Sequence, residues 1–457
     1  MSIDALRRQI HGEVLTSDDA GYFRLAASGY NTTLALSPEV IVLAENEDDI
    51  VAAVRHAAAE EMPVAVISTG HGSYAPVTGG MLVRTTRMKQ FSFDDSARTV
   101  TLEAGVAWRD VLPALAERGL AAVTGSAPTV GAIGLALGGG AGPLGRTFGY
   151  TSDWVTEFRV VTATGAVVTA SETSEPELFW ALRGGKGGLG IVTRMTLGLL
   201  PLPVVYGGSL FWAGDSIEAA YRTWAEWSAN APDEVNTSVS ILRLPWNAHA
   251  EPHLKGRPVL HLRYVYASLD ATPEELQARG EQLLAPMRAA ATPVHDTVAL
   301  MPSSEIGAIH ADPPRPVPVW DRGMLLDRLD DTFITTLLGQ VGAAAEPPFV
   351  AVEVRRFGGQ LGLSADQTDA VGGRAAPYSL LIVGTPERAL FADIVPSAAD
   401  RLVAAVQPWV SASQSFHWAG HPSTPEAFAA CWPAATHERL SRIRASYDPG
   451  RRFAFGP

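Results

Sequence analysis

Hydrophobic positions in the first 200 residues switch between helical and strand-like spacing in short units. Apolar residues recur every third or fourth position over residues 46–61, which predicts a helix, and Pro63 then introduces a short apolar strand at residues 64–67. Residues 155–163 and 167–170 flank a Thr-Gly pair, which predicts a hairpin. The same patterns predict further strands at 81–85, 99–104 and 191–199, and further helices at 108–117 and 175–182.

The second half of the chain has longer elements. Strand-like runs at 259–266, 349–355 and 378–383 alternate with helical patterns at 217–229, 273–290 and 398–406. This order predicts an α+β domain in which helices cover one face of an antiparallel sheet. We therefore expect a first domain at residues 1–204, a substrate-binding domain at 205–410, and a C-terminal segment at 411–457 that returns to the first domain.

Charge and composition narrow the class of partner. The chain has 457 residues, and 35 Lys and Arg against 48 Asp and Glu give a formal net charge of −13, which argues against nucleic acid or an anionic membrane as a partner. No apolar segment is long enough to span a bilayer, and the N-terminal residues do not resemble a signal peptide, so we expect a cytoplasmic protein. The single cysteine, Cys431, excludes an intramolecular disulfide and a cysteine-cluster metal site. A small-molecule partner is expected, and the sequence does not indicate the oligomeric state.

Glycines are concentrated between residues 131 and 145. Such a run lets backbone N–H groups approach an anion closely, and a diphosphate is the natural ligand. Gly140, Gly142 and Gly145 match the spacing of a dinucleotide-binding fingerprint, but no strand precedes them and Pro143 stands where the helix should begin, so we reject that interpretation. The alternative for this loop is tight packing against a neighbouring helix.

A second candidate is the turn Ser68-Thr69-Gly70-His71-Gly72-Ser73 after the predicted strand at 64–67. Its hydroxyl groups could contact a phosphate, and the turn could hold the His71 imidazole toward a ligand. A lone histidine in a glycine turn is more often a surface or hydrogen-bonded residue than a functional one. The assignment therefore depends on the motifs that accompany it.

Several further motifs follow in a fixed order from residue 35 to 203 and again near the C-terminus. They are Gly-His-Gly-Ser at 70–73, Ser-Ala-Pro-Thr-Val-Gly at 126–131, the glycine run, Pro-Glu-Leu-Phe-Trp-Ala-Leu-Arg-Gly-Gly at 176–185, Gly-Ile-Val-Thr at 190–193 and Tyr-Asp-Pro at 447–449. Together they resemble the berberine bridge enzyme-like group of the vanillyl-alcohol oxidase/PCMH flavoprotein superfamily.

The resemblance implies a PCMH-type FAD-binding domain of two α+β subdomains beneath a substrate domain. It implies FAD as cofactor, one covalent 8α-histidyl link at His71, and no second link because Ala127 stands where relatives place a cysteine. The resemblance also implies that Val130 occupies the position that controls access of O₂ to the flavin, where a small aliphatic residue is typical of oxidases. The implied FAD contacts are His71, Ser68, Thr69, Gly70, Gly72, Ser73, Gly125, Ser126, Thr129, Val130, Gly131, Gly134, Leu135, Gly138, Gly139, Gly140, Gly142, Gly190, Ile191 and Val192.

Two departures from the family pattern concern the turn and the catalytic base. Ser68 and Thr69 stand where relatives carry an arginine-containing turn, and the stretch 429–437 lacks the tyrosine that many members bring to the flavin. The strand at 349–355 places Glu353 and Arg355 on one face, so Glu353 could accept a proton, with a structural ion pair as the alternative.

Other candidates lie outside that strand. Tyr264 is a third catalytic candidate, although a tyrosine on a half-buried strand is more often a packing residue. His417 and His421 have helical ligand spacing, but Gly420 and Pro422 argue against a helix there, so no metal is predicted.

These observations favour an FAD-dependent oxidase that takes a hydride from a carbon next to nitrogen or oxygen in a small molecule and reduces O₂ to H₂O₂. Its setting would be catabolism or secondary metabolism. The alternative is a flavoprotein that catalyses a net non-redox cyclisation or isomerisation, which the missing tyrosine keeps open. A third interpretation is a binding protein that has lost catalysis.

Overall fold

The computed structural model describes residues 2–72, 75–246, 250–362, 368–420 and 424–453. The first half contains short helices and strands. These elements are α1 (Ile3–Arg7), β1 (Glu13–Leu15), α2 (Tyr22–Ala26), β2 (Leu36–Ser37), β3 (Val40–Leu43), α3 (Glu47–Ala59), β4 (Val64–Ile67), β5 (Val77–Thr78), β6 (Met81–Arg84), β7 (Phe91–Asp94), β8 (Thr99–Glu103), α4 (Trp108–Ala116), α5 (Ala132–Ala136), α6 (Gly145–Phe148), β9 (Val155–Val161), β10 (Val167–Ser171), α7 (Pro176–Leu182) and β11 (Ile191–Gly198).

Helix α3 positions the strand that leads to the predicted histidine turn. The Asn46 side chain caps the helix by accepting from the Asp49 backbone N–H at 2.9 Å, and the first turn is acidic, as the helix dipole favours. Ile50, Ala53 and Val54 on one face are fully buried. This apolar stripe packs into the main core beside the four-stranded sheet β1-β3-β6-β4, which anchors β4.

A second sheet completes the first half. It is antiparallel, with strand order β10-β9-β11-β8-β7, and β9 and β10 form the hairpin that the sequence predicts. Residues from both sheets share one core with α3, α4, α5 and α7. The short helix α5 lies inside the glycine run, where the sequence predicts only a loop, and buries Ala132, Ile133 and Leu135 in that core.

The second half contains longer elements and, in the described residues, two short helices. These are β12 (Val204–Ala213), α8 (Ser216–Ala229), β13 (Val235–Arg243), β14 (Pro258–Tyr266), α9 (Pro273–Ala290), β15 (His295–Asp296), β16 (Ala299–Pro302), α10 (Gly307–His310), β17 (Asp321–Leu326), α11 (Asp331–Val341), β18 (Phe349–Arg356), β19 (Tyr378–Gly384), α12 (Ile394–Val406), α13 (Pro425–Ala429) and α14 (Ala434–Tyr447). Short 3₁₀ turns span Thr151–Trp154, Pro252–Leu254, Ser303–Glu305, Gly359–Leu361, Arg388–Leu390 and Gln407–Trp409.

The strands of the second half form one antiparallel sheet in the order β15-β12-β14-β13-β18-β19-β17, with β16 paired to β12. The buried side chains on one face pack against α8, α9, α11 and α12 in a single core. This arrangement confirms the predicted α+β class with helices covering an antiparallel sheet. The sheet register places Arg263, Ser238 and Arg355 side by side on neighbouring strands.

The C-terminal segment lies against the first half of the chain. Trp432 donates its indole N–H to the Gly184 carbonyl at 3.2 Å, and Arg444 donates to the Gly185 and Gly187 carbonyls. Cys431 is fully buried, and burial raises the pKa of its thiol to about 12. Across the described ranges, no helix is both long and apolar enough to cross a membrane.

Candidate functional site

The turn after β4 fixes the imidazole of His71 on three sides. Nδ1 lies 3.0 Å from Thr69 Oγ1, Nε2 lies 2.9 Å from Thr129 Oγ1, and the ring stacks on Tyr30 with centroids 3.7 Å apart. Burial, aided by Arg109, lowers the pKa of His71 to about 4, so the imidazole is neutral near pH 7. A neutral imidazole held by two hydroxyls is a pre-oriented nucleophile.

The surroundings of this turn fit the cofactor that the sequence predicts. Ser68 Oγ is buried and has no hydrogen-bond partner in the described part of the chain. It lies 3.5 Å from the position that a Cβ at Gly131 would occupy, while the Gly131 N–H donates to Thr69 Oγ1 at 3.2 Å. Outside its own helix, no described atom lies within 4 Å of the position of a Cβ at Gly134. An unpartnered hydroxyl beside Gly131, in a run that leaves the Cβ side of Gly134 open, is suited to the diphosphate of FAD.

Other glycines of the run face protein rather than open space. A Cβ at Gly140 would lie 2.5 Å from Thr151 Oγ1, and one at Gly142 would lie 1.7 Å from the Thr124 carbonyl oxygen. Gly139 and Gly140 have positive φ values of 99° and 83°, which favour glycine. For Gly139, Gly140 and Gly142, the Cβ position therefore supports the tight-packing alternative, and only their backbone groups remain available to a cofactor.

Lys186 is a site residue that the sequence analysis missed. It adopts φ of 68°, unusual for a lysine, and its Nζ donates to the Gly134 carbonyl at 2.5 Å. Nζ also lies 3.7 Å from the Cβ positions of both Gly72 and Gly138. Burial lowers the pKa of Lys186 to about 8, so the amine still carries a proton at pH 7. A cation thus lies against the turn and the glycine run together, where an anionic cofactor group fits.

The remaining predicted cofactor contacts have varied surroundings. Ser126 Oγ donates to the Asp312 carboxylate at 2.8 Å, and Val130 packs on the main core beside Thr129. The side chains of Leu135, Ile191 and Val192 are buried in that core, so only their backbones are available. A Cβ at Gly125 would lie 3.2 Å from the Leu135 side chain, and one at Gly190, whose φ is 130°, would lie 2.7 Å from Val160. Ser73 and His421 lie outside the described residues.

Glu353 and Arg355 lie on one face of the sheet, as predicted, but Glu353 is unsuited to accept a proton. Its two carboxylate oxygens lie 2.9 Å from Arg355 Nε and 2.9 Å from Arg263 Nη1. Burial opposes this charge, but the neighbouring Arg263 and Arg355 hold the pKa of Glu353 far below its usual range. A carboxylate so firmly ionised is a weak base, so the geometry favours the ion-pair alternative.

Tyr264 lines the cavity near the sheet face, but its side-chain surroundings argue against the predicted catalytic role. Alternation along β14 puts Tyr264 with Leu260 and Leu262 on the face covered by helices, where its hydroxyl donates to the Gly280 carbonyl at 3.0 Å. The neighbouring Arg263 lies on the opposite face and contacts Glu353. Tyr264 therefore serves the core of the second domain.

A cavity lies between this polar sheet face and the glycine run. Gly142 and Pro143 line one side, and Arg263, His310 and Arg355 line the other. His417 is close enough to both Lys186 and Arg355 for their charges to help burial lower its pKa to about 3. The sheet face and the Gly142 end of the glycine run therefore face each other across one cavity, and none of the described turn residues 68–72 lines it.

Buried neutral histidines predict a steep loss of stability in acid. Burial lowers the pKa values of His261 and His310 well below 6.5, so below that pH the unfolded chain binds protons that the folded chain does not. Each such group should cost about 1.4 kcal/mol of unfolding free energy per pH unit as the pH falls below 6.5. Urea denaturation from pH 7 to 5 measures how the unfolding free energy changes with pH. The His310→Gln variant should take up one proton fewer on unfolding at the acid end of this range, so its unfolding free energy should fall less steeply. An unchanged slope in that variant would contradict the assignment.

Comparison with known proteins agrees with the predicted cofactor. Residues 38–171 match the family model described as an FAD binding domain. The uncharacterized FAD-linked oxidoreductase YgaK of Bacillus subtilis is 31% identical over 51% of this chain and 53% of its own, so the chain spans about half the length of that relative. (R)-6-hydroxynicotine oxidase of Paenarthrobacter nicotinovorans is 28% identical over 97% of this chain and 95% of its own.

Solved structures show the same fold across the whole chain. 6-Hydroxy-D-nicotine oxidase from Arthrobacter nicotinovorans superposes with a TM-score of 0.81 at 23% identity, covering 97% of this chain and 96% of its own. BBE-like 1 of Physcomitrella patens gives 0.82 at 19%, covering 100% and 98%. Glucooligosaccharide oxidase from Acremonium strictum, with a 6-S-cysteinyl, 8α-N1-histidyl FAD, gives 0.82 at 20%, covering 99% and 98%. The resemblance found in the sequence is confirmed: the chain contains an FAD binding domain and has the fold of the berberine bridge enzyme-like flavoproteins.

Proposed function

We propose that the protein is an FAD-dependent oxidase that removes a hydride from a carbon next to nitrogen or oxygen in a small organic molecule and passes the two electrons to O₂, giving H₂O₂. FAD, when bound, supplies the two-electron acceptor. The observation that carries the proposal is the neutral imidazole of His71, fixed between two threonine hydroxyls beside the unpartnered Ser68 Oγ. That arrangement falls within the matched FAD binding domain.

The attachment we propose is one 8α-histidyl bond at His71. The glucooligosaccharide oxidase carries such a link together with a cysteinyl one, whereas Ala127 here has no sulfur to form the second. If the bond forms at Nδ1, the equivalent of the N1 link in that oxidase, Thr69 must release this nitrogen. Thr129 can keep hydrogen bonding to Nε2 and so hold the ring in place. Tyr30 supports the imidazole from its stacked face.

The chain's own residues provide the substrate pocket rather than the electron acceptor. The rigid sheet face opposite the glycine run presents Arg263, Ser238 and Arg355 to the cavity. Substrate held against this face would be oriented by fixed donors, which is the protein's contribution to a hydride transfer. We place the small aliphatic Val130, next to Thr129, on the path by which O₂ reaches the cofactor.

The experiment that tests the oxidase proposal combines two measurements on the flavin-loaded protein. A panel of small amines, alcohols and hydroxy acids is screened for anaerobic bleaching of the flavin absorbance, and each hit is then tested in air. We expect bleaching by at least one class of compound, with H₂O₂ formed in proportion to O₂ consumed. Conversion of a substrate without O₂ consumption would replace this proposal with the non-redox alternative.

A further inference from the structure

The wall of the cavity between the sheet and the glycine run is cationic, in a protein whose net charge is −13. Arg146, Arg263, Arg355, Arg356 and His310 line it, and none of the described residues that line it is acidic. Arg146 and Arg356 serve a structural role, because their guanidinium groups donate to main-chain carbonyls such as those of Val235 and Pro377. The charge that faces the cavity therefore comes from Arg263 and Arg355.

Among the described residues, these two arginines share one counter-ion, Glu353. Glu353 contacts both of them at 2.9 Å, one through each carboxylate oxygen. Glu353 and Arg263 are each 7% exposed, so water compensates the extra positive charge poorly. Burial keeps His261 and His310 neutral and adds no further charge. The site therefore carries one uncompensated positive charge, which one further anionic group would neutralise.

Hydrogen-bond donors with no partner point to the same kind of ligand. Arg263 Nε is buried without a partner in the described residues, and so is His310 Nδ1. The contact of 3.2 Å between Arg355 Nη2 and His310 Nε2 makes Nε2 the acceptor, because an arginine can only donate. Neutral His310 therefore carries its proton on Nδ1, as a free donor. Arg263 is 7% exposed and His310 is 9% exposed.

We propose that this cavity binds the carboxylate of a monoanionic organic acid, held by Arg263 and His310 with Arg355 behind them, so that the substrate of the proposed oxidase is an acid. One carboxylate would balance the excess charge and accept from both free donors. This inference rests on the proposed function for the role of the ligand, but its binding test does not.

The test uses benzoate as the probe anion and benzamide as its uncharged match, titrated into the protein as purified and followed by calorimetry. We expect benzoate to bind at least about tenfold more tightly than benzamide, because only the carboxylate of benzoate can form a charged hydrogen bond with the buried Arg263. Arg263→Gln should remove that preference. Arg442→Gln, at an exposed pair with Glu438, should leave it unchanged. Equal binding of the two ligands, a preference that survives Arg263→Gln, or no benzoate binding would overturn the proposal.

A second variant covers the case in which Arg263→Gln fails to fold. Ser238 lies between Arg263 and Arg355 in the sheet register, so Ser238→Asp would supply the missing carboxylate from the protein itself. It should raise the melting temperature of the ligand-free protein and abolish benzoate binding. Unchanged benzoate binding would contradict the proposal. Calorimetry does not need a reducible flavin, so a protein that binds benzoate but holds no flavin would count against the oxidase proposal alone. A protein that oxidises only uncharged compounds would count against the proposed acid substrate alone.

Discussion

Gly142→Ala should lower the free energy of unfolding by about 3 kcal/mol, since the new methyl group has no space. Its Cβ would lie 1.7 Å from the Thr124 carbonyl oxygen and 2.8 Å from the Thr124 carbonyl carbon, which are main-chain atoms that cannot rotate away. The backbone of Gly142 does not have positive φ in the structure, so the effect isolates the close approach itself. Urea denaturation of the flavin-free protein measures the loss, and the same variant should take up little FAD because the loop must shift.

Gly134→Ala is the matched control within the same glycine run. Outside its own helix, no atom of the described residues lies within 4 Å of its Cβ position. Because the residue is in helix α5, stability should stay the same or rise by about 0.5 kcal/mol. If FAD uptake nevertheless falls in this variant, the open space at Gly134 is where the cofactor lies. Equal destabilisation by both substitutions would contradict the packing account of Gly142.

Glu353→Gln should destabilise the protein by about 3–5 kcal/mol, because it leaves Arg263 and Arg355 buried without their shared counter-ion. The geometry makes the carboxylate a structural anion, so the loss should appear in the unfolding free energy of the flavin-free protein. Adding Arg355→Met to Glu353→Gln should recover part of it, since one of the two uncompensated charges is then removed. Chemical denaturation of the single and double variants measures both effects.

The matched control for this substitution is Glu438→Gln, whose partner Arg442 is exposed on helix α14. That change should stay within about 0.5 kcal/mol. A catalytic base would behave differently from a structural anion: Glu353→Gln would then leave stability nearly unchanged and abolish turnover. That result would restore the proton-acceptor role that the geometry argues against.

The parts of the site that the sequence predicted are those with strong local signals. Proline before a short apolar strand and glycine after it marked the turn that holds His71, and alternation along β18 put Glu353 and Arg355 on one face. The short helix inside the glycine run was missed because glycines obscure a five-residue apolar pattern whose burial depends on neighbouring sheets.

The residues that the sequence analysis missed are brought in by long-range contacts. Tyr30 stacks on His71 from a loop 41 positions earlier in the chain, and Arg263 reaches Glu353 across the intervening strand β13. Lys186 stands in a glycine-rich stretch, where its positive φ is not visible in the sequence. The orientation of Tyr264 could have been predicted from the sequence. It shares its side of the strand with Leu260 and Leu262, which mark the face that packs against helices.

The most direct test of the central claim is the intact mass of the purified protein after denaturation, read beside its visible spectrum before and after acid precipitation. The account predicts a yellow protein whose denatured mass exceeds that of the chain by one FAD, with the flavin on the peptide that contains His71 and no added mass in His71→Ala. If the protein is yellow but loses its flavin on denaturation, the FAD site is supported and the covalent bond is not. A colourless protein that takes up no added FAD would contradict the account.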